Sequence, residues 1–216
     1  MNEKLDLAGR RREYTLAGLR RAELDPDPMA QFAKWFKQAQ EAGLAEPGAM
    51  ILSTADKSGH PSARTVLLKV VDQRGFIFFS YGESRKSREM GWNPNAALVF
   101  HWPDLDRQVC IAGTVTRIGA VESEKYFSSR PREIRLAAWV SNQSEPIPNR
   151  ALLEKRLAAV IAKFPGEEIP PPPTWTGFCV APHRLEFWQG RTDRLNDRFE
   201  YLKLLDNSWQ IERLAP

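Results

Sequence analysis

The sequence predicts a mixed α+β domain: an antiparallel barrel carrying helices on its outside. Three observations lead there. Between residues 49 and 118, five β-rich segments follow one another across short connections, which suits an antiparallel barrel and not a parallel sheet with long crossovers. Helical periodicity is confined to separate stretches, at 29–43, 84–92 and 121–164. No linker or internal repeat divides the 216 residues, a length that buries a core without disulfide or metal support.

Taken in order, the first 25 residues hold Arg10, Arg11, Arg12, Arg20 and Arg21 around an LAGL segment and read as a basic arm with helical character. The proline-rich break Asp25–Pro28 ends it, giving an arm over 1–27 and a single domain over 28–216. Met29, Phe32, Phe36 and Ala39 then form one apolar helical face that stops at Gly43. Strands follow at Ala49–Ala55, Ser62–Val71 and Phe76–Ser80, separated by the turns DKSGH and DQRG. A helix over Ser84–Trp92 ends at Asn93-Pro94, and the β formers of Ala96–Trp102 and Arg107–Ile118 come next. Helices resume at Val121–Arg130, Ile134–Val140 and Arg150–Phe164, and Pro170–Pro173 makes a stiff connector. Four returning strands close the chain: GFCVAP, RLEFWQG, RFEYLKLL and SWQIERL, the last two joined at Asp206-Asn207.

Composition narrows the function. A hydrophobic content of 42% excludes global disorder, and no apolar run approaches the ~18 residues that span a bilayer. The first residues lack the apolar core of a signal peptide, so a cytoplasmic location with no membrane partner is expected. Cys110 and Cys179, far apart, are expected as reduced core residues. Lys plus Arg at 31 against Asp plus Glu at 27 gives +4, which favours anionic partners. His60, His101 and His183 show no paired ligand spacing, so no metal is expected.

Several segments carry residues suited to phosphate. In ARTVLLK, the cations Arg64 and Lys69 interrupt an apolar strand. They read either as snorkelling edge residues or as ligands, and five-residue spacing on a regular strand places them on opposite faces, in different subsites. Ser84, Arg85 and Lys86 open a helix, where amides and cations suit an anion or simply a solvated helix end. Tyr126 and Arg130, four apart on one helical face, form either a phosphate clamp or a surface pair. Gln108 and Gln143-Ser144 lie among apolar residues. Trp188, Arg194 and Arg198 bracket a Gly-containing turn and suit a flat, anionic ligand or an ordinary hairpin.

In order, RRREY, ARTVLLK, the SRK turn, RQV, KYFSSRPRE, AWVSNQS and EFWQGRTDRLNDRF closely resemble the pyridoxine/pyridoxamine 5′-phosphate oxidase family, from about Arg10 to the terminal IERLAP. The resemblance implies an FMN-binding split β-barrel with peripheral helices, assembled as a homodimer with two FMN sites at the subunit interface. It assigns FMN binding to Arg64, Thr65, Val66, Leu67, Leu68, Lys69, Phe79, Ser80, Arg85 and Lys86. Gln108, Gln143, Ser144, Trp188 and Arg198 complete that set. Substrate binding falls to Arg11, Arg12, Glu13, Tyr14, Lys69, Tyr126, Arg130, Ile134, Arg194, Leu195 and Asn196, with Arg194, Tyr14 and Asn196 nearest the chemistry and the arm serving as a substrate lid.

The implied reaction is oxidation of pyridoxamine or pyridoxine 5′-phosphate to pyridoxal 5′-phosphate, with hydride passing to FMN and molecular oxygen becoming hydrogen peroxide. Two positions depart from the family pattern. Asn196 stands where a histidine is common, and Ile134 where a serine is common, beside an added Arg135. Alternatives are a related flavin oxidase with a phenazine-type substrate and a noncatalytic FMN or pyridoxal-phosphate binder. Nucleic acid is not an expected partner, because the arm lacks interleaved aromatics apart from Tyr14.

Overall fold

A computed structural model describes Tyr14 and residues 18–216, so the expectations for Arg11, Arg12 and Glu13 lie outside the described residues. Among the described residues there are five α-helices and nine strands. In chain order they are α1 (Pro28–Glu41), β1 (Ala49–Ala55), β2 (Pro61–Leu67), β3 (Val70–Asp72), β4 (Gly75–Tyr81), α2 (Arg85–Trp92), β5 (Asn95–Trp102) and β6 (Arg107–Arg117). There follow α3 (Ala120–Ser128), α4 (Arg132–Ala137), α5 (Arg150–Lys163), β7 (Trp175–Gln189), β8 (Asp197–Lys203) and β9 (Trp209–Leu214).

Two compact units share the chain, and the divide between them falls within β5, β6 and β7. The first comprises Gly48–Val99 and Ile111–Arg184. Its strands follow the order β2-β1-β5-β6-β7-β4-β3, with antiparallel pairing of β1 to β2 and β5, and of β4 to β3 and β7. Period-two burial along β1 sends Met50, Leu52 and Thr54 inward, whereas β4 is apolar and buried nearly throughout. Full burial of a side chain such as Phe78 stabilises the unit by about 1.5–3 kcal/mol relative to leaving it in water. Gly75 opens β4 at φ 139, and a Cβ there would strike the Val180 carbonyl oxygen, so the β4–β7 contact requires glycine. A second cluster in this unit, Phe127, Leu136, Ala138 and Ile169, holds α3 and α4 and draws in Val160 of α5.

The other unit comprises the described residues up to Pro47, Phe100–Cys110 and Leu185–Pro216. Asp27 caps α1 by accepting from the Met29 amide at 2.9 Å, Pro28 occupies the first turn, and Gly43 follows the helix at φ 74. The buried face of α1 packs Phe32 on Phe100 (ring centroids 4.9 Å apart) and Trp35 edge-on against Phe187 at 5.2 Å. Here β8 pairs with β7 and with β9.

Two strand expectations change. Residues 62–71, expected as one strand, break at Leu68–Lys69, where the Leu68 amide turns to Gly48 O and the Lys69 amide to Ile77 O, both at 2.9 Å. Conversely, the two segments around Pro182 form the single strand β7. The β4 pairing of β7 ends at Val180, so Pro182 lies beyond that ladder and removes no bond from it.

Candidate functional site

The first unit encloses a cavity of about 730 Å³, a size that takes a cofactor-scale ligand. Strand β2 contributes Arg64, Thr65, Val66 and Leu67, and the break after it returns Lys69 to the same lining. Arg64 and Lys69, expected on opposite faces of one strand, therefore line one cavity, because the strand breaks at Leu68–Lys69; whether they serve different subsites within it is a matter of ligand assignment. Leu68 is half-buried and does not line the cavity. Phe79 and Ser80 come from β4, Arg85 and Lys86 from the first turn of α2, Tyr126 from α3, and Ile134 from α4. Arg130, Gln143 and Ser144 complete the expected residues here.

At one end the donors converge. Lys86 is buried, and its Nζ donates to Ser80 Oγ at 3.0 Å, Ser84 Oγ at 3.3 Å and Gln143 Oε1. Burial, aided by the charge of Arg64, pushes its ammonium down to about 8. Ser144 holds a left-handed φ of 78 and accepts from the Arg85 amide at 3.2 Å, filling the role that Ser84, the N-cap residue, leaves open. Arg64 donates through Nη1 to Thr54 Oγ1 at 2.6 Å and to Leu52 O at 3.2 Å, and through Nη2 to Ser62 Oγ and to Glu89 Oε2.

A second set of residues presents aromatic faces and one guanidinium. Phe79 and Tyr126 stack at 3.8 Å, and Trp175 lies nearly parallel to both. Arg130 sits 4.6 Å over Trp175, and its Nη1 is buried with no hydrogen-bond partner. Burial lowers the Arg130 pKa from its ordinary value and raises that of Tyr126. Ile134 presents an apolar side chain, 45% exposed, to the same cavity. Arg135 does not replace the missing hydroxyl. It is directed to Glu167, with Nη1 3.0 Å from the carbonyl oxygen and Nη2 3.6 Å from the carboxylate, and its Nε is buried without a partner.

The remaining expected residues belong to the other unit. Tyr14 meets Trp188 edge-on at 5.5 Å, and the Arg194 guanidinium lies 4.7 Å from the Tyr14 ring. Arg194 takes φ 64 in a turn where Leu195 is 66% exposed and Asn196 Oδ1 accepts from the Arg191 amide at 3.0 Å. Arg198 forms a two-point pair with Glu186, and Gln108 Nε2 donates to Cys110 Sγ at 3.2 Å. Sequence reasoning missed Glu89, Ser62 and Trp175. Only Glu89 left a signal, its i,i+4 spacing from Arg85.

The fold is thus a split β-barrel of the flavin-binding class, curled antiparallel strands with a few helices. The chain belongs to the pyridoxine/pyridoxamine 5′-phosphate oxidase family and is an enzyme of that family. The family description "Pyridoxamine 5′-phosphate oxidase" matches residues 36–164, and "Pyridoxine 5′-phosphate oxidase C-terminal dimerisation region" matches residues 175–216, which supports a homodimer. A pyridoxine/pyridoxamine 5′-phosphate oxidase of Rubrobacter xylanophilus is 52% identical, over 98% of this chain and 97% of that protein. One from a Nostoc species is 51% identical, over 97% and 98% respectively. Among solved structures, PhzG of Burkholderia lata, in complex with tetrahydrophenazine-1-carboxylic acid, superposes with a TM-score of 0.88 at 28% identity, covering 94% of this chain and 100% of that one. A pyridoxamine 5′-phosphate oxidase-related, FMN-binding protein of Nostoc punctiforme gives 0.71 at 17% identity, covering 89% and 100%, and shows the fold alone. No helix among the described residues is long and apolar enough to cross a membrane.

Proposed function

We propose that this enzyme oxidises pyridoxamine 5′-phosphate or pyridoxine 5′-phosphate to pyridoxal 5′-phosphate with FMN as cofactor. The observation that carries the reading is Arg130, whose buried Nη1 has no partner, in the same cavity lining as Arg64, Arg85 and Lys86. Two groups of anion-binding side chains in one cavity suit two phosphates, one on the cofactor and one on the substrate. The residues present fit FMN: a buried ammonium, two guanidinia and a helix-start amide region supply its phosphate end, and a 730 Å³ space accommodates its ring system.

Bound in this cavity, FMN would supply the acceptor for a substrate hydride and the means of returning the electron pair to oxygen. The chain's own residues bind and orient. Arg64, Arg85 and Lys86 would hold the cofactor phosphate, while Lys69, Tyr126 and Arg130 would hold that of the substrate. Alcohol plus oxygen yields aldehyde plus hydrogen peroxide; amine plus oxygen and water yields aldehyde, ammonia and hydrogen peroxide. Tyr14, Arg194 and Asn196 are the residues this reading assigns to the reacting carbon; the arm expected as a lid lies mostly outside the described residues. Trp188, Arg198 and Gln108 would serve the flavin, the first two by reaching a cofactor held mainly by the partner subunit. Sedimentation at twice the chain mass, with flavin lost on dissociation, is the expected behaviour of that homodimer.

One observation favours a second reading, a related oxidase acting on a tricyclic acid: Ile134 makes the substrate end more apolar than a phosphate requires, and PhzG is similar in structure. Peroxide production separates the readings. Pyridoxamine 5′-phosphate is expected to give one hydrogen peroxide per aldehyde and to outpace unphosphorylated pyridoxamine; equal rates for the two would overturn the phosphate assignment.

A further inference from the structure

We propose that Glu89 is a positioning residue for the phosphate end of the cavity, its carboxylate holding the guanidinium of Arg85 in the orientation that receives the cofactor phosphate. The proposal rests on the FMN reading above. Glu89 is 2% exposed, yet its carboxylate gathers donors from three elements. Oε2 accepts from Thr54 Oγ1 on β1 at 2.5 Å, and from Ser62 Oγ at 2.6 Å and Arg64 Nη2 at 3.1 Å on β2. Oε1 accepts from Arg85 Nε at 2.7 Å.

The protons allow one arrangement. A carboxylate only accepts, so Thr54 and Ser62 each spend their single hydroxyl proton on Glu89 and can only accept from Arg64. The two oxygens therefore do different work. Oε2 completes a closed network that fixes Arg64, whereas Oε1 ties Arg85 alone, through Nε. That tie orients a side chain that is 61% exposed and whose Nη1 and Nη2 have no protein partner among the described residues. An exposed arginine otherwise loses considerable rotamer freedom on binding an anion.

Glu89→Gln separates the two oxygens. The amide oxygen satisfies the three donors at the Oε2 position, which leaves the amide NH2 facing the Arg85 Nε–H, donor against donor. Arg85 is then released while Arg64 stays fixed. Removing the negative charge also favours an incoming phosphate, an opposing effect that remains alone in the Arg85→Ala background and is isolated there.

The test is FMN titration of flavin-stripped protein by fluorescence quenching, with thermal melting in parallel. Glu89→Gln is expected to weaken FMN binding about tenfold. In an Arg85→Ala background the same substitution is expected to cost less than about twofold, because the group it positions is gone. Arg85→Lys keeps the charge but gives up the Nε contact, leaves the buried carboxylate untouched, and is expected to weaken binding about as much as Glu89→Gln. Unchanged or tighter binding in Glu89→Gln, an equal loss in both backgrounds, or wild-type affinity in Arg85→Lys would overturn the positioning role while the FMN reading stands. If the unaltered chain binds no FMN, the cofactor reading falls and the proposal with it.

Discussion

The cations of the two units are treated differently. In the unit built on α1, β8 and β9, arginines are matched to scaffold groups. Arg198 is paired with Glu186, Arg191 and Arg213 share Asp197 at 3.1 and 2.6 Å, and Arg107 reaches Gln38 and Gln189 while stacking 4.4 Å over Trp35. In the cavity unit Arg64 and Lys86 are matched in the same way, to Thr54, Ser62 and Glu89 and to Ser80, Ser84 and Gln143, but Arg130 rests on aromatic faces with a buried nitrogen unused, and Arg85 is held by one side-chain contact. A matched cation holds the fold together. A buried donor left unmatched costs about 1–3 kcal/mol; Arg135 Nε and, in the other unit, Gln31 Nε2 are unmatched too, so what singles out Arg130 is that it also lines the cavity with Arg64, Arg85 and Lys86.

The contrast is broken most directly by removing one arginine of each kind. Arg130→Ala is expected to raise KM for pyridoxamine 5′-phosphate about ten- to a hundredfold with little change in Tm, since it deletes the charge-assisted contact proposed for the substrate phosphate. Arg107→Ala is expected to do the reverse, destabilising the protein by about 1–3 kcal/mol through lost stacking and two orphaned amides while KM stays near its starting value. Steady-state kinetics and melting curves on both variants decide it; equal KM changes would erase the distinction.

Lys86 sharpens the same point through pH. Burial holds its folded-state pKa at about 8, below the ordinary 10.5. The folded, ligand-free protein thus binds fewer protons than the unfolded chain between these values, so the cost of keeping a buried ammonium is fully present below about pH 8 and is relieved as pH rises toward 10.5. Phosphate prefers the charged form, so FMN affinity is expected to be flat below about pH 8 and to weaken above it. Lys86→Met should bind FMN about tenfold or more weakly and abolish that slope, as titrations across the range would show. A slope that survives the substitution would assign the proton elsewhere.

Smaller effects are expected in the other unit and at the departures from the family pattern. A Cβ on Gly190 would lie 2.8 Å from the Tyr14 ring, so Gly190→Ala should push Tyr14 away from Trp188. A loss in kcat/KM of less than about tenfold is expected, without loss of FMN. Ile134→Ser should lower KM for the phosphorylated substrates a few-fold by restoring a hydroxyl donor, and Asn196→His should add a titrating group to the pH profile. No improvement from either change would move the substrate assignment toward the tricyclic reading.

Much of this architecture was legible in the sequence because the signals were local. The capped α1, the alternation in β1 and the Asp206-Asn207 turn each follow from residues a few positions apart. The cavity's contributors were legible through the ordered blocks, and eleven of the fifteen residues expected to bind cofactor line it. What escaped depended on distant partners. The break at Leu68 is fixed by the Gly48 and Ile77 carbonyls, which no strand propensity reports. Pro182 reads as an interruption until the β4 ladder is known to end at Val180. Glu89 looks like one half of a helical surface pair with Arg85, and only the approach of β1 and β2 turns it into a buried hub.

The most direct measurement is an anaerobic absorption spectrum of FMN-loaded protein mixed with pyridoxamine 5′-phosphate, repeated with unphosphorylated pyridoxamine and with a tricyclic phenazine-type acid. Surplus donors in the cavity predict rapid bleaching of the yellow flavin by the phosphorylated amine and slow or negligible bleaching by the other two. An oxidised spectrum that persists with the phosphorylated amine, or faster bleaching by the tricyclic acid, would contradict the assignment of Arg130 and its neighbours to a substrate phosphate.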